Sequence, residues 1–107
     1  MTGAQTAGPV VEVYWRPGCP YCRMLLGRLR RSGLRLREIN VWEDRDAAAR
    51  VRAVADGNET VPTVFIGERA MVNPSVRQVL AVARGEQAPR AWWSRRVPEA
   101  RSRRPTD

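Results

Sequence analysis

The chain has 107 residues and a formal net charge of +8; its 19 basic residues are all arginine, and it contains no histidine. That length suits one modest core, and 43% hydrophobic with 28% charged residues is an ordinary balance for a globular domain. The lack of histidine excludes Ser-His and Cys-His catalysis and any imidazole metal site. No run approaches the roughly 18 apolar residues of a membrane-spanning helix. Residues 1–9 are small and polar without a signal-peptide pattern, so the expected compartment is the reducing cytoplasm.

Taken in chain order, Val10–Trp15 (VVEVYW) is rich in β-branched and aromatic residues and reads as a strand. Pro20 suits the first position of a helix capped by Cys19, and Tyr21, Leu25, Leu26 and Leu29 share one face of it. Arg30 and Arg31 fall in its last turn, and Ser32-Gly33 ends it. Leu34–Trp42 begins with alternating polarity and reads as a second strand. Asp44 or Asp46 then starts a helix carrying Ala48, Val51, Val54 and Ala55, stopped by Gly57. Thr60–Gly67 is a third strand with Pro62 near its start, and Arg69–Val72 a fourth, joined by Gly67-Glu68. Asn73-Pro74-Ser75 marks a last helix start with proline at its first position; Val76, Val79, Leu80 and Ala83 form its apolar face, closed by Gly85. The order β-α-β-α-β-β-α defines an α/β domain over 10–85, in which the two βα units imply parallel strands and the last hairpin is antiparallel. Residues 1–9 are expected to be a flexible lead-in. Residues 86–107, with six Arg, three Pro and Trp92-Trp93, are expected to be a basic, disordered tail.

The only cysteines, Cys19 and Cys22, lie three apart in RPGCPYCR. A structural bridge at this spacing closes too small a loop to remove much chain entropy. A zinc site lacks two of its usual four ligands. A reactive centre has a physical basis. Cys19 at a helix N-terminus faces free N–H groups and the positive dipole end, with Arg16 and Arg23 nearby, which favours thiolate below the free-cysteine pKa of about 8.5. Cys22, one turn in, is expected to be buried, less ionised, and placed to attack a mixed disulfide on Cys19. Val61-Pro62-Thr63 should lie beside the end of the first strand, next to Cys19. A cis bond there would present the Val61 backbone as a docking edge for an extended thiol ligand.

CPYC after the first strand and TVP before the third resemble the glutaredoxins of the thioredoxin superfamily. The resemblance covers about residues 10–85 and implies a thioredoxin-like fold with a central four-stranded mixed sheet and three flanking helices. An arginine, Arg16, stands three residues before the first cysteine, where lysine is more usual. Gly57–Ser75 further resembles the mycoredoxin branch of actinobacteria. The Gly-Gly-x-Asp-type segment that binds glutathione's carboxylate is replaced here by Val72-Asn73-Pro74-Ser75, which favours another low-molecular-weight thiol; the mycoredoxin resemblance implies mycothiol, with glutathione the alternative, as co-substrate. The resemblance implies thiol–disulfide exchange with no tightly bound cofactor and no metal: Cys19 as nucleophile, Cys22 as resolving partner, and Arg16, Tyr21, Val61, Pro62, Asn73 and Ser75 around the thiol. Implied partners are S-thiolated or disulfide-containing proteins, a flavin reductase that recycles oxidised mycothiol, and no membrane; the simplest assembly is a monomer. Tyr21 could instead merely pack, and Asn73 could cap the last helix. Competing readings are a redoxin recharged by thioredoxin reductase and feeding ribonucleotide reductase, an iron–sulfur carrier, which a proline-containing CPYC disfavours, and nucleic-acid or anionic-surface binding by the Arg/Trp tail, against which a solvated, disordered tail is favoured.

Overall fold

A computed structural model describes residues 8–85. The tail expected at 86–107, with Trp92-Trp93, and residues 1–7 of the expected lead-in lie outside the described residues. Seven elements follow the anticipated order: β1 (Val10–Trp15), α1 (Pro20–Arg31), β2 (Arg35–Asn40), α2 (Arg45–Val54), β3 (Thr63–Ile66), β4 (Arg69–Val72) and α3 (Val76–Ala83). They form one mixed sheet in the order β2-β1-β3-β4. The β1–β2 pair is parallel, Val10 opposite Arg35; β1–β3 and β3–β4 are antiparallel. The second βα unit therefore does not return a parallel strand, contrary to the sequence reading: β3 enters on the far side of β1 and runs against it.

Alternation along β1 divides the interior. Val11 and Val13 join Leu25, Leu26 and Leu29 of α1 and Val79, Val82 and Ala83 of α3 on one face. Tyr14, with Phe65, packs on the opposite face against Ala47, Ala48 and Val51 of α2. Both faces of the sheet are covered, so β3 reads as four consecutive buried residues rather than as an alternating strand.

Element ends differ from the sequence reading for local reasons. β2 stops at Asn40 because its side-chain oxygen accepts the Trp42 N–H (2.9 Å) and its carbonyl the Glu43 N–H (3.0 Å), which turns the chain. β3 starts at Thr63 rather than Thr60, since the Thr63 hydroxyl donates to the Thr60 carbonyl at 2.7 Å and closes a turn ahead of the strand. Asp44, not Asp46, caps α2, its Oδ1 accepting the N–H groups of Asp46 and Ala47. Ser75 caps α3, so Pro74 stands before the cap and not in the first helical position.

Candidate active site

The end of β1 delivers the cysteine loop. After Trp15 the chain turns through Pro17 and Gly18, whose φ of +80° lies in the region glycine adopts freely, and enters α1 with Cys19 as N-cap and Pro20 at the first position. The cap is a thiol where most helices use a hydroxyl or carboxylate: the Cys22 N–H donates to Cys19 Sγ at 3.3 Å. The Arg23 N–H is taken by the Cys19 carbonyl at 3.2 Å. Both cysteines are free thiols. Cys19 is half-exposed at the rim, whereas Cys22 is fully buried on the core side of α1. Burial, reinforced by its hydrogen bond with Cys19, pushes the Cys22 thiol up to about 12. The pair is thus divided as expected into an accessible sulfur and a withheld one.

The register places the second part of the site. Tyr14 is opposite Thr63, so the β1 extension toward Cys19 runs past Pro62 and Val61. The Val61–Pro62 bond is cis, Pro62 is buried and Val61 half-buried. Among the described residues Val61 makes no hydrogen bond through either backbone group, leaving a free peptide edge beside the loop.

The third part is the entry to α3. The Asn73 N–H donates to the Pro62 carbonyl at 2.8 Å, tying this loop to the Val61–Pro62 edge. Asn73 does not cap the helix: its φ of +53° puts it in the left-handed region, where asparagine is better tolerated than most residues. Ser75 does the capping in a reciprocal box, with the Gln78 N–H on Ser75 Oγ (3.1 Å) and the Ser75 N–H on Gln78 Oε1 (2.9 Å). Ser75-x-x-Gln78 was visible in the sequence and would have located this cap. The Tyr21 hydroxyl donates to the Pro74 carbonyl at 2.9 Å. Tyr21 therefore does more than pack on α1: it bridges the α1 start to the α3 entry. Tyr21, Val61, Pro62, Asn73 and Ser75 are brought together.

Arg16 sits on the other flank of the loop. It lines a cavity with Trp15, Arg23 and Met24, and its guanidinium lies over the exposed Trp42 ring, 5.9 Å from the centroid. Sequence reasoning missed that contact. It also missed Arg50, whose largely buried guanidinium donates to Glu12 (3.0 Å) and to the Tyr14 hydroxyl (2.8 Å) and stacks on Phe65 at 4.2 Å. An arginine on a helix reads as solvated, and no spacing signal marks one that folds under its own helix.

A mixed four-stranded sheet with helices on both faces, a Cys-x-x-Cys at the first helix start and a cis proline just before β3 define a thioredoxin-like fold. The glutaredoxin family model matches residues 11–71. Mycoredoxin 1 of Corynebacterium glutamicum is 39% identical over 72 residues, 66% of this chain and 89% of that protein. A glutaredoxin-named protein of Mycobacterium tuberculosis is 36% identical over 72 residues, 66% of this chain and 86% of the other. Hybrid peroxiredoxin hyPrx5 of Haemophilus influenzae is 40% identical over 57 residues, 53% of this chain and 23% of that longer protein. The chain belongs to the glutaredoxin family, and it is a thiol–disulfide oxidoreductase homologous to a mycoredoxin. The family works with low-molecular-weight thiols and protein disulfides and holds no tightly bound cofactor. No helix among the described residues is long and apolar enough to cross a membrane.

Proposed function

We propose that the protein is a mycoredoxin acting in the cytoplasm: it removes mycothiol from S-mycothiolated proteins, with Cys19 as nucleophile. The observation that carries this is the half-exposed Cys19 sulfur receiving the Cys22 N–H at the helix start, while the neighbouring thiol is buried and held neutral. The accessible sulfur is the one an incoming disulfide can meet, and thiolate is the attacking species in thiol–disulfide exchange. In the first exchange the Cys19 thiolate attacks the mycothiol sulfur of protein–S–S–mycothiol. A Cys19–S–S–mycothiol bond forms, the original disulfide breaks, and the protein leaves as thiolate. A second mycothiol thiolate attacks that mixed disulfide, releasing mycothiol disulfide and restoring the Cys19 thiolate. Each step conserves electrons between sulfurs and needs no bound metal.

The bound thiol lies along the Val61 edge, whose free N–H and C=O suit an extended cysteinyl backbone. Its remaining oxygens reach the α3 start, where the Val76 and Arg77 N–H groups have no acceptor among the described residues. Asn73 and Tyr21 hold that start in place. The Val72–Ser75 segment supports mycothiol over glutathione, as does the likeness to Mycoredoxin 1.

The test is reduction of one model disulfide mixed with mycothiol and one mixed with glutathione, each with its matching thiol and recycling reductase. Turnover is expected on the mycothiol substrate only. Cys19→Ser should abolish it, by at least about three orders of magnitude, and Cys22→Ser should retain it. Equal turnover on both substrates would overturn the thiol assignment. Turnover on neither, with reduction by thioredoxin reductase instead, would overturn the whole reading.

A further inference from the structure

We infer that the α1 flank of Cys19, opposite the thiol groove, receives an acidic segment of the target protein beside its thiolated cysteine; this rests on the function proposed above. A mixed disulfide has two arms. The thiol arm is assigned above to Tyr21, Val61, Asn73 and the α3 start, and the protein arm is placed on the other flank of Cys19, where the surface is open.

On that side lies an open cavity of about 590 Å³ lined by Trp15, Arg16, Pro17, Arg23, Met24 and Arg30. Its lining mixes apolar Trp15, Pro17 and Met24 with the cations Arg16, Arg23 and Arg30. Met24, 39% exposed, supplies apolar surface to that lining. The charge has one sign: α1 carries four arginines and no acidic residue. Arg30 is neutralised by a bidentate pair with Glu38 at 2.7 and 2.8 Å. Arg23 and Arg16 make no ion pair among the described residues, and the Arg16 guanidinium lies over the Trp42 ring. Two uncompensated guanidiniums thus stand three residues before and four after the reactive sulfur. Trp15 lines the same cavity, and its indole N–H is buried without an acceptor among the described residues, which makes it a reporter of a segment seated above it rather than a contact. Cations beside apolar surface fit an extended chain bearing Asp or Glu next to a small apolar residue. Arginine forks suit carboxylates in particular.

The experiment measures binding without disulfide chemistry. A nine-residue peptide with a central serine flanked by glutamates, and its glutamine counterpart, are titrated against the full chain at low ionic strength and followed by NMR. The glutamate peptide should bind roughly tenfold more tightly, shifting the Trp15 indole N–H and Met24 methyl signals, and lose that advantage in high salt. Arg23→Gln should reduce the preference about threefold to fivefold, the range of one rim charge pair. Arg23→Lys should restore most of it, and Arg45→Gln on α2 should leave it intact. A preference undiminished by Arg23→Gln would overturn the assignment and point to the arginines of 86–107. A single-stranded 12-mer oligonucleotide that binds more tightly, with the same Arg23 dependence, would assign the surface to nucleic acid and also overturn it. A redox-inactive protein with Arg23-dependent peptide binding would lose the proposed function but keep this surface; an active one showing no peptide preference would lose only the surface.

Discussion

Two helix starts meet at the site, and their first turns are closed by different atoms. At α1 the cap is Cys19 Sγ, which accepts one N–H and is otherwise open to the rim. At α3 the cap is Ser75 Oγ inside a reciprocal box, with both its N–H and its hydroxyl engaged by Gln78. Both ends offer positive dipole and free N–H groups. A polarisable, ionisable atom in the first cap suits a nucleophile; a neutral hydroxyl within a reciprocal box in the second suits a fixed wall. If that division is right, Cys19→Ser should convert α1 into a second wall. Activity should vanish as stated above, while the helix keeps a competent cap, so stability from urea denaturation should move by less than about 1 kcal/mol. A larger loss would mean that Cys19 is structural as well as reactive.

The second way to sharpen the comparison lies one turn further in. With its thiol pushed up to about 12, Cys22 should alkylate at pH 8 on the order of a thousandfold more slowly than a free cysteine, whereas Cys19 alkylates first. Mass mapping after iodoacetamide checks this. The same shift sets a stability trend. Burial raises the folded-state pKa above the unfolded value near 8.5, so the contribution is complete below that value. It drains as pH climbs toward 12, because unfolding then releases a proton. Stability should therefore decline with pH above about 9, and Cys22→Ala, with no such proton, should flatten that limb in denaturation curves. Equal slopes would break the assignment.

A smaller effect tests the wall. Asn73 holds a left-handed conformation and donates to the Pro62 carbonyl through its backbone. Asn73→Val should cost about 1–2 kcal/mol, since a β-branched residue resists positive φ. Asn73→Gly should stay within about 0.5 kcal/mol, as it keeps the N–H and relieves the strain. Comparable losses in both would mean that the side chain, not the backbone angle, holds the loop.

Much of this was legible from residues whose role is local. Cys19 as cap, Pro20 at the first helical position and the arginine-rich last turn of α1 follow from the chain's own dihedral and dipole preferences, so sequence spacing located them. The CPYC and TVP motifs located the family for the same reason. What stayed hidden depends on tertiary approach. The antiparallel entry of β3 is decided by which side of β1 it joins, which no periodicity encodes. Arg50 under α2 and Arg16 over Trp42 are long side chains whose direction is set by distant rings. Asparagine favours both caps and left-handed turns, so its type alone leaves the role of Asn73 open between them; the Ser75-Gln78 spacing separates the two.

Tyr21 is where the two helix starts communicate, and it carries the finest prediction. Its ring belongs to α1, yet its hydroxyl ends on the Pro74 carbonyl, one residue before the α3 cap. A 2.9 Å hydrogen bond at a half-buried position contributes roughly 0.5–1.5 kcal/mol, enough to hold the wall in register with the nucleophile but not to decide folding. Tyr21→Phe keeps the ring and removes only the bond. Stability should fall by about that amount. The kinetic loss should appear mainly in KM for the mixed-disulfide substrate, because the α3 start proposed to receive the thiol is no longer tethered to the helix that carries Cys19. A fall in kcat with KM unchanged would instead place the Tyr21 hydroxyl in the sulfur-exchange step itself, and the division into reactive start and passive wall would have to be redrawn with Tyr21 on the reactive side.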